Sequence, residues 1–200
     1  MNPPLPQAVS SLIVLVLSLS LFLVFLNGYN RQKNHVWVGA PKAHPTVLAI
    51  DLDETLVRSA ITPNEQVNVL FRPHVAFFLS SVASMYDQIA VFTAGTESYA
   101  RPIIDALAAN SGIVIMHQNR LYRDSCTPIK DEKGNIIAYC KDLRRLGHPI
   151  SRVTLLDNMP ISYSLQPDRG VPIPSFFGDP EDRALLDVLN ILKKTLAVSQ

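Results

Sequence analysis

The sequence predicts an α/β domain with a central, mainly parallel β-sheet, and three observations support this fold class. Apolar runs alternate with segments of helical periodicity from residue 46 onward, which is the pattern of β-α-β units. Each run ends in a polar residue followed by a turn signal. The chain of 200 residues is 48% apolar and 18% charged, so it can form one domain with a real core, plus appendages.

The predicted elements follow in order along the chain. Buried strands are expected in the sequences TVLAID (46–51), QIAVFT (88–93) and RVTLLD (152–157). One helix should begin at Pro73, whose fixed φ suits a helix start. A second should begin at the N-cap Thr96 and bend near Pro102. DEKGN at 131–135 predicts a hairpin turn, and a last helix is expected over about 180–197, where leucine and valine form a broad apolar face.

The N-terminal segment has the composition of a membrane anchor. The first 30 residues contain no charged side chain, and residues 8–26 are apolar except for serines. At roughly 1.5 Å per residue, a helix of this length spans about 28 Å, close to the hydrocarbon thickness of a bilayer. A cleaved secretory signal normally has a positive n-region, a shorter apolar core and a small-residue cleavage site, and none is clear here. We therefore predict an anchor over 1–30 and a juxtamembrane linker over 31–45.

The flanking charges predict how this single-pass anchor is oriented. No lysine or arginine precedes the apolar segment, whereas several follow it closely, namely Arg31, Lys33 and Lys42. The positive-inside rule then places the C-terminal domain in the cytosol. In that compartment Cys126 and Cys140, which flank the predicted hairpin turn, should stay reduced.

Polar side chains lie where the three predicted strands end. Asp51 and Asp53 come at the end of the first strand, Thr93 at the end of the second, and Asp157 with Asn158 at the end of the third. Ligands of open α/β sheets bind at the carboxyl ends of strands, so these groups should lie together. Such oxygen ligands suit a hard cation, most simply Mg²⁺ that retains several waters. Taken singly, each residue could be a cap or turn former, so the inference depends on their order and placement.

The stretch DLDETLV at 51–57 has the form D-x-D-x-[TV], and further segments follow it in a characteristic order. They are FRPHVAFFL, VFTAGTESYA, LYRDSC, KDLRRLG, LLDNMPISYSLQP and PIPSFFGDPEDRALLDVL. Together they resemble the small-CTD-phosphatase and Dullard branch of the haloacid-dehalogenase-type protein Ser/Thr phosphatases. The resemblance covers nearly all of residues 46–197, and we take 46–198 as the domain. It implies a three-layer Rossmann-like fold with a β-hairpin insertion.

The resemblance also implies a mechanism. Asp51 would attack phosphorus to form an aspartyl-phosphate. Asp53 would protonate the leaving alkoxide and then activate water. Mg²⁺ would be held by the Asp51 carboxylate, the Asp53 carbonyl and the Asn158 side chain, and would offset the repulsion between nucleophile and phosphate. Asp157 would orient the water shell of the metal.

Four further residues match positions at which the family binds its substrate. Thr93 would hydrogen-bond a phosphate oxygen, and Lys141 would pair with the phosphate and the nucleophile. Tyr99 and Arg123 fall where family members contact the substrate. These four residues would therefore form the phosphate and substrate site.

The sequence departs from the family pattern at three places. Gly95 stands where a serine is common, His74 stands where a glycine is common, and SFFGD at 175–179 replaces a segment that usually contains tryptophan. None of these changes removes a catalytic group. They bear on which substrate the pocket prefers.

Two functional classes follow from the resemblance. The first is a membrane-anchored, Mg²⁺-dependent phosphatase for phosphoserine and phosphothreonine in proteins, resembling the Dullard type of the endoplasmic reticulum and nuclear envelope. Such a one-helix enzyme could require a regulatory membrane subunit. The second is a non-catalytic tethered binding module, resembling the mitochondrial inner-membrane translocase subunit of the same fold. A binding module has no physical need for two carboxylates beside a metal ligand, so the residues favour the enzyme.

The charge balance bears on a further class of partner. The net charge is +1 at pH 7, so the chain has no overall basic excess of the kind that nucleic-acid-binding proteins carry. Direct binding to nucleic acid is not expected.

Overall fold

The computed structural model describes residues 45–61 and 67–198. Its strands are β1 (Val47–Ile50), β2 (Val57–Ile61), β3 (Val67–Phe71), β4 (Gln88–Phe92), β5 (Arg120–Leu121), β6 (Thr127–Lys130), β7 (Ile136–Cys140), β8 (Val153–Asp157) and β9 (Gly170–Pro172). Its α-helices are α1 (Val75–Met85), α2 (Glu97–Ser111) and α3 (Ala184–Val198). Short 3₁₀ helices cover His117–Asn119, Arg123–Ser125, Leu143–Leu146, Ile150–Arg152, Pro160–Tyr163 and Pro167–Arg169.

The predicted membrane helix at 8–26 lies outside the described residues, as does the linker up to residue 44. Within the described ranges, no helix has both the length and the apolar character needed to cross a bilayer. The anchor therefore stays a prediction.

A parallel five-stranded sheet forms the centre of the domain, in the order β5-β4-β1-β8-β9. The central strand β1 pairs with β4 from Val47↔Gln88 and with β8 from Val47↔Val153. All four residues of β1 are buried, because parallel strands in the middle of a sheet are covered on both faces. The parallel sheet and the three predicted strands are confirmed.

The two faces of this sheet have different covers. Leu48 and Ile50 pack with the apolar faces of all three α-helices, including Phe78, Ile104 and Leu189. On the other face, the alternate β1 residues Val47 and Ala49 pack with side chains from connecting segments, among them Cys126 and Leu143. Within the described residues, the domain thus has three layers: the α-helices on one face, the sheet in the middle, and connecting segments on the other face.

The helix starts agree with the sequence at two helices and differ at the third. Thr96 is the N-cap of α2, as predicted, and α1 begins just after Pro73, with His74 as its N-cap. The last helix begins at Ala184 rather than at about residue 180. The reason is Asp182, whose Oδ1 accepts a hydrogen bond from the Ala184 amide at 3.0 Å while the same carboxylate pairs with the buried Arg72.

Two antiparallel strand pairs flank the main sheet. β6 and β7 pair from Thr127↔Cys140 and are joined by residues 131–135, so the predicted hairpin is confirmed. Its turn contains Gly134 with φ of 83°, a left-handed conformation that glycine adopts at little cost. The β2–β3 pair was not predicted. Cys126 and Cys140 are buried and not joined by a disulfide.

Candidate active site

Asp51 lies at the carboxyl end of β1, in the centre of the sheet edge. Its amide donates to the Leu156 carbonyl at 2.9 Å, which extends the ladder between β1 and β8. The carboxylate is nearly buried, and Lys141 Nζ lies 2.5 Å from Oδ1. Thr55 Oγ1 donates to Oδ2 at 2.9 Å. Both oxygens of Asp51 are therefore held by donors, which fixes the orientation of the carboxylate.

Lys141 follows β7 and reaches across to the ends of β1 and β8. Its Nζ lies 2.5 Å from Asp51 and 2.6 Å from Oδ2 of Asp157, and the lysine side chain is only 2% exposed. Burial acts to lower the pKa of Lys141, but the charges and hydrogen bonds of both aspartates raise it above its ordinary value. The lysine is consequently a fixed cation between two carboxylates.

Asp157 and Asn158 end the neighbouring strand β8. Asp157 is 1% exposed, and its Oδ1 accepts from the Met159 amide at 2.8 Å. Burial and the nearby charge of Asp51 raise the pKa of Asp157, against the opposing effect of Lys141. Asn158 Nδ2 donates to Ser175 Oγ at 2.9 Å. With the amide nitrogen in this contact, Oδ1 is available as an oxygen ligand.

These oxygens fit the predicted magnesium site. The Thr55 hydroxyl lies 2.9 Å from Asp51 Oδ2 and 3.4 Å from Asn158 Oδ1, so the two predicted side-chain ligands converge on one point. No cluster of three or more histidine, cysteine, aspartate or glutamate side chains in the described part of the chain could hold a metal. The predicted set contains one carboxylate, one amide and one main-chain carbonyl, and such hard oxygen ligands with room for water suit Mg²⁺.

Asp53 lies two residues after Asp51 and is half-buried. The Tyr99 hydroxyl donates to its Oδ1 and also lies 2.5 Å from Ser59 Oγ. Burial raises the pKa of Asp53 above its ordinary value, and the bond from Tyr99 partly opposes that effect. Burial, together with the bond to Asp53, raises the pKa of Tyr99 to about 12, so the phenol stays protonated.

Thr93 directly follows β4, on the other side of β1, and is 1% exposed. Its amide continues the sheet by donating to the Leu121 carbonyl at 2.9 Å. Its Oγ1 accepts from the Gly95 amide at 2.9 Å. A hydroxyl has one hydrogen to donate, so this arrangement leaves the Thr93 hydrogen available for a ligand such as a phosphate oxygen.

Arg123 is exposed beside the turn that follows Thr93. Its Nε donates to the Ala94 carbonyl at 2.6 Å, and its guanidinium lies 5.5 Å from the centre of the Tyr139 ring. The structure thus brings Asp51, Asp157 and Lys141 into direct contact. Arg123 is linked to Thr93 through the intervening turn.

Sequence reasoning missed two residues that hold the site together. Thr55 belongs to the D-x-D-x-T stretch, yet its contact with Asp51 was not foreseen. Arg72 has a fully buried side chain that donates from Nη1 to the Thr55 carbonyl at 3.1 Å and from Nη2 to the Pro174 carbonyl at 2.8 Å. An arginine directly after an apolar strand was the available signal, because buried charges require partners.

Comparisons with known proteins define the family. The sequence model of NLI interacting factor-like phosphatases matches residues 46–200. The chain therefore belongs to this family.

Several relatives of known name are similar to this chain. A probable C-terminal domain small phosphatase of Dictyostelium discoideum is 40% identical over 166 residues, covering 76% of this chain and 51% of the relative. CTD nuclear envelope phosphatase 1 of Xenopus laevis is 37% identical over 169 residues, covering 73% and 65%. The chain thus spans about half to two thirds of the length of these relatives.

A solved structure shares the fold. The structure of Fcp1, described as an essential RNA polymerase II CTD phosphatase, matches with a TM-score of 0.50 and 18% identity, covering 77% of this chain and 51% of that one. At this identity the likeness concerns the fold alone.

Proposed function

We propose that this protein is a Mg²⁺-dependent protein phosphatase that hydrolyses phosphoserine and phosphothreonine through an aspartyl-phosphate on Asp51. The observation that carries the proposal is the position of Asp51. Its carboxylate is held by Lys141 and Thr55 at the carboxyl edge of the sheet, where ligands of such folds bind. The family and the names of its relatives support a phosphatase.

In the first step, an oxygen of Asp51 attacks phosphorus, and the bond between phosphorus and the serine oxygen breaks. The serine oxygen takes the proton of Asp53 as it leaves. The Lys141 cation, 2.5 Å from Asp51, offsets the negative charge that gathers when a carboxylate meets a phosphate. Phosphoryl transfer depends mainly on such positioning and charge neutralisation.

In the second step, Asp53 removes a proton from water, and the water oxygen attacks phosphorus. The bond between phosphorus and Asp51 breaks, which releases inorganic phosphate and regenerates the carboxylate. Splitting hydrolysis in this way replaces one difficult displacement by two easier ones. Thr93 would donate its hydroxyl hydrogen to a phosphate oxygen in both steps, and Arg123 and Tyr99 would contact the substrate.

Mg²⁺ would be held by the carboxylate of Asp51, the main-chain carbonyl of Asp53 and Oδ1 of Asn158. When bound, it would supply charge neutralisation between nucleophile and phosphate. Asp157 would orient the water shell, and its contact with Lys141 at 2.6 Å keeps it in place.

The remaining parts of the proposal concern location and partners. A helix at 8–26 would anchor the protein, a linker at 31–45 would follow, and the phosphatase domain at 46–198 would face the cytosol. The location would be the endoplasmic reticulum or nuclear envelope rather than the mitochondrial inner membrane, and the relative named CTD nuclear envelope phosphatase 1 supports the nuclear envelope. The substrate would be a phosphoprotein, and a regulatory membrane subunit is a proposed partner.

The alternative function is a non-catalytic, membrane-tethered binding module. Such a module would not need a lysine buried between two carboxylates, so we favour the enzyme.

The test is release of inorganic phosphate from a phosphoserine peptide by the full-length protein in detergent micelles. We expect activity with Mg²⁺, loss of activity with EDTA, and background rates for Asp51→Asn with Mg²⁺ present. Glu132→Gln, an exposed acid in the hairpin turn, is the matched control and should retain the wild-type rate. Equal rates for wild type and Asp51→Asn would contradict the proposed nucleophile.

A further inference from the structure

Asp53 is contacted by the Tyr99 hydroxyl, which in turn contacts Ser59, and neither hydroxyl has a role in the proposed proton transfers. Tyr99, in the first turn of α2, donates to Asp53 Oδ1, and Ser59, in β2, lies 2.5 Å from the same Tyr99 oxygen. We propose that Tyr99, supported by Ser59 and seated on Gly95, positions Asp53 to deliver its proton to the leaving alkoxide. This inference rests on the proposed phosphatase function and assigns positioning residues within it.

The contact with Tyr99 gives the two carboxyl oxygens of Asp53 different roles. A protonated carboxyl has one oxygen that accepts hydrogen bonds best and one that carries the hydrogen. Tyr99 occupies Oδ1, so Oδ1 acts as the acceptor and the proton resides on Oδ2. No hydrogen bond from the described residues engages Oδ2, and every fully buried side-chain oxygen or nitrogen in that part of the chain has a partner. Oδ2 is therefore not fully buried, as a group that gives its proton to a substrate must be.

Ser59 completes the chain of hydroxyls. Ser59 Oγ also accepts from the Tyr99 hydroxyl, at 2.5 Å, so the single hydroxyl hydrogen of Tyr99 lies between Asp53 Oδ1 and Ser59 Oγ. Ser59 pairs with Val69 in the β2–β3 ladder, and Tyr99 belongs to α2. The carboxyl of Asp53 is thus fixed by two regular elements rather than by its own loop.

Gly95 provides the space in which the Tyr99 ring lies. A Cβ atom at position 95 would be only 2.9 Å from Cδ1 of Tyr99 and 3.2 Å from Oγ1 of Thr93. Gly95 does not have a left-handed backbone, so space, not φ, accounts for the glycine.

The identity of the leaving group distinguishes this role from a general structural one. When the P–O bond of a phosphoserine breaks, the alkoxide must take the proton from Asp53 Oδ2, which leaves a carboxylate. A nitrophenolate leaves as a stable anion and needs no proton. Disturbing Tyr99 should therefore slow the serine ester and spare the nitrophenyl ester.

The experiment compares kcat/KM for a phosphoserine peptide and for p-nitrophenyl phosphate, using the full-length protein with Mg²⁺. This parameter reports the steps up to departure of the alcohol, so the hydrolysis of the aspartyl-phosphate, which both substrates share, does not obscure the difference. For Tyr99→Phe we expect a loss of about tenfold or more on the peptide, within the roughly 10²–10⁴ that general acid catalysis contributes. The nitrophenyl ester should change by less than about twofold.

Further variants test the supporting residues. Ser59→Ala should show the same selective loss with a smaller size, because Tyr99 keeps its direct bond. Gly95→Ala should show the selective loss together with a smaller loss on both esters, because the added Cβ also presses on Thr93. Two matched controls are available. Tyr86→Phe removes a hydroxyl that contacts the Leu192 carbonyl at 3.3 Å, and Ser80→Ala changes an exposed residue of α1.

The outcomes separate the two proposals. Equal losses of Tyr99→Phe on both esters, or no loss on either, would overturn the positioning role while leaving the phosphatase function intact. A wild-type protein that hydrolyses neither ester would overturn the proposed function itself. Asp53→Asn removes the proton donor itself and so gives the reference ratio of the losses in kcat/KM on the peptide and on the nitrophenyl ester. Tyr99→Phe must show the same preference for the nitrophenyl ester, with a smaller loss on the peptide.

Discussion

Lys141 Nζ lies 2.6 Å from Oδ2 of Asp157, and the two side chains are 2% and 1% exposed. A buried ion pair of this kind contributes little net stability when complete, because desolvation offsets the attraction. It becomes costly when one partner is removed, since the remaining charge stays buried without compensation. Asp51 also pairs with Lys141, so removing the lysine would leave two buried carboxylates without a counter-ion and raise this cost.

Lys141→Met should therefore destabilise the domain as well as inactivate it. Two carboxylates would remain buried beside each other, and we expect the free energy of unfolding to fall by about 3–5 kcal/mol. Urea denaturation followed by circular dichroism measures the change. Lys130→Met in the exposed part of β6 is the control, with an expected change within about 0.5 kcal/mol; an equal effect of the two variants would refute the argument.

Asp182→Asn should weaken the fold in a pH-dependent way. The hydrogen bonds of Arg72 lower the pKa of Asp182, so the native state favours the carboxylate. This stabilisation is present above the unfolded pKa of about 3.9 and is lost as the pH falls through the lower native pKa. We expect the variant to lose about 3 kcal/mol at pH 7, because Arg72 becomes an unpaired buried charge, and the difference from wild type to shrink below about pH 4.

The control for Asp182→Asn is Asp105→Asn. Asp105 pairs with Arg120 at 2.8 Å, but its side chain is 56% exposed, and exposed pairs contribute about 0–1 kcal/mol. Denaturation curves of both variants at pH 7 and pH 3.5 provide the measurement. A difference for Asp182→Asn that stayed constant over this range would rule out the proposed linkage.

His74→Gly should stabilise the protein. His74 has φ of 66° and ψ of 9°, and a side chain in this left-handed region costs roughly 1–2 kcal/mol. Glycine removes that strain but increases the freedom of the unfolded chain, so we expect a net gain of up to about 1 kcal/mol. Thermal unfolding measures it, and His148→Gly, at a position without positive φ, should give no gain.

Ser175→Ala should weaken Mg²⁺ affinity without abolishing activity. Ser175 Oγ accepts from Asn158 Nδ2 at 2.9 Å and so keeps Asn158 Oδ1 turned toward Asp51. Losing a residue that orients a metal ligand typically costs about 10–100-fold in metal affinity. We expect the Mg²⁺ concentration for half-maximal activity to rise by about tenfold, with the full rate recovered at saturation. Ser164→Ala, which contacts Cys140 instead, is the control.

The central strands were predictable because burial on both faces makes them short, continuous apolar runs. This property identified β1, β4 and β8, and the rule that ligands bind at strand ends then brought Asp51, Asp157 and Asn158 together. The β2–β3 pair was missed because VRSAI and VNVLF mix polar and apolar residues. β5 and β9 have only two and three residues, too few for a periodic signal.

Lys141 and Arg72 show where sequence reasoning reached its limit. Lys141 follows β7, outside the main sheet, so only the resemblance to a family suggested it. Arg72 acts through contacts with Asp182, 110 residues away in the sequence. Ser59 and Tyr99 are 40 residues apart. Contacts of this range follow from how the elements pack, and no local pattern in the sequence reports them.

The pairing of β1 with β8 also sets when the proposed active site can be completed during synthesis. Asp51 emerges from the ribosome with β1, but Asp157 and Asn158 come with β8, whose partner residues in β1 were made about a hundred residues earlier. At roughly 5–20 residues per second, this delay is on the order of 5–20 s. A nascent chain that ends before β8 would thus expose the proposed nucleophile without the proposed metal ligand Asn158, and it should stay inactive until β8 has been made.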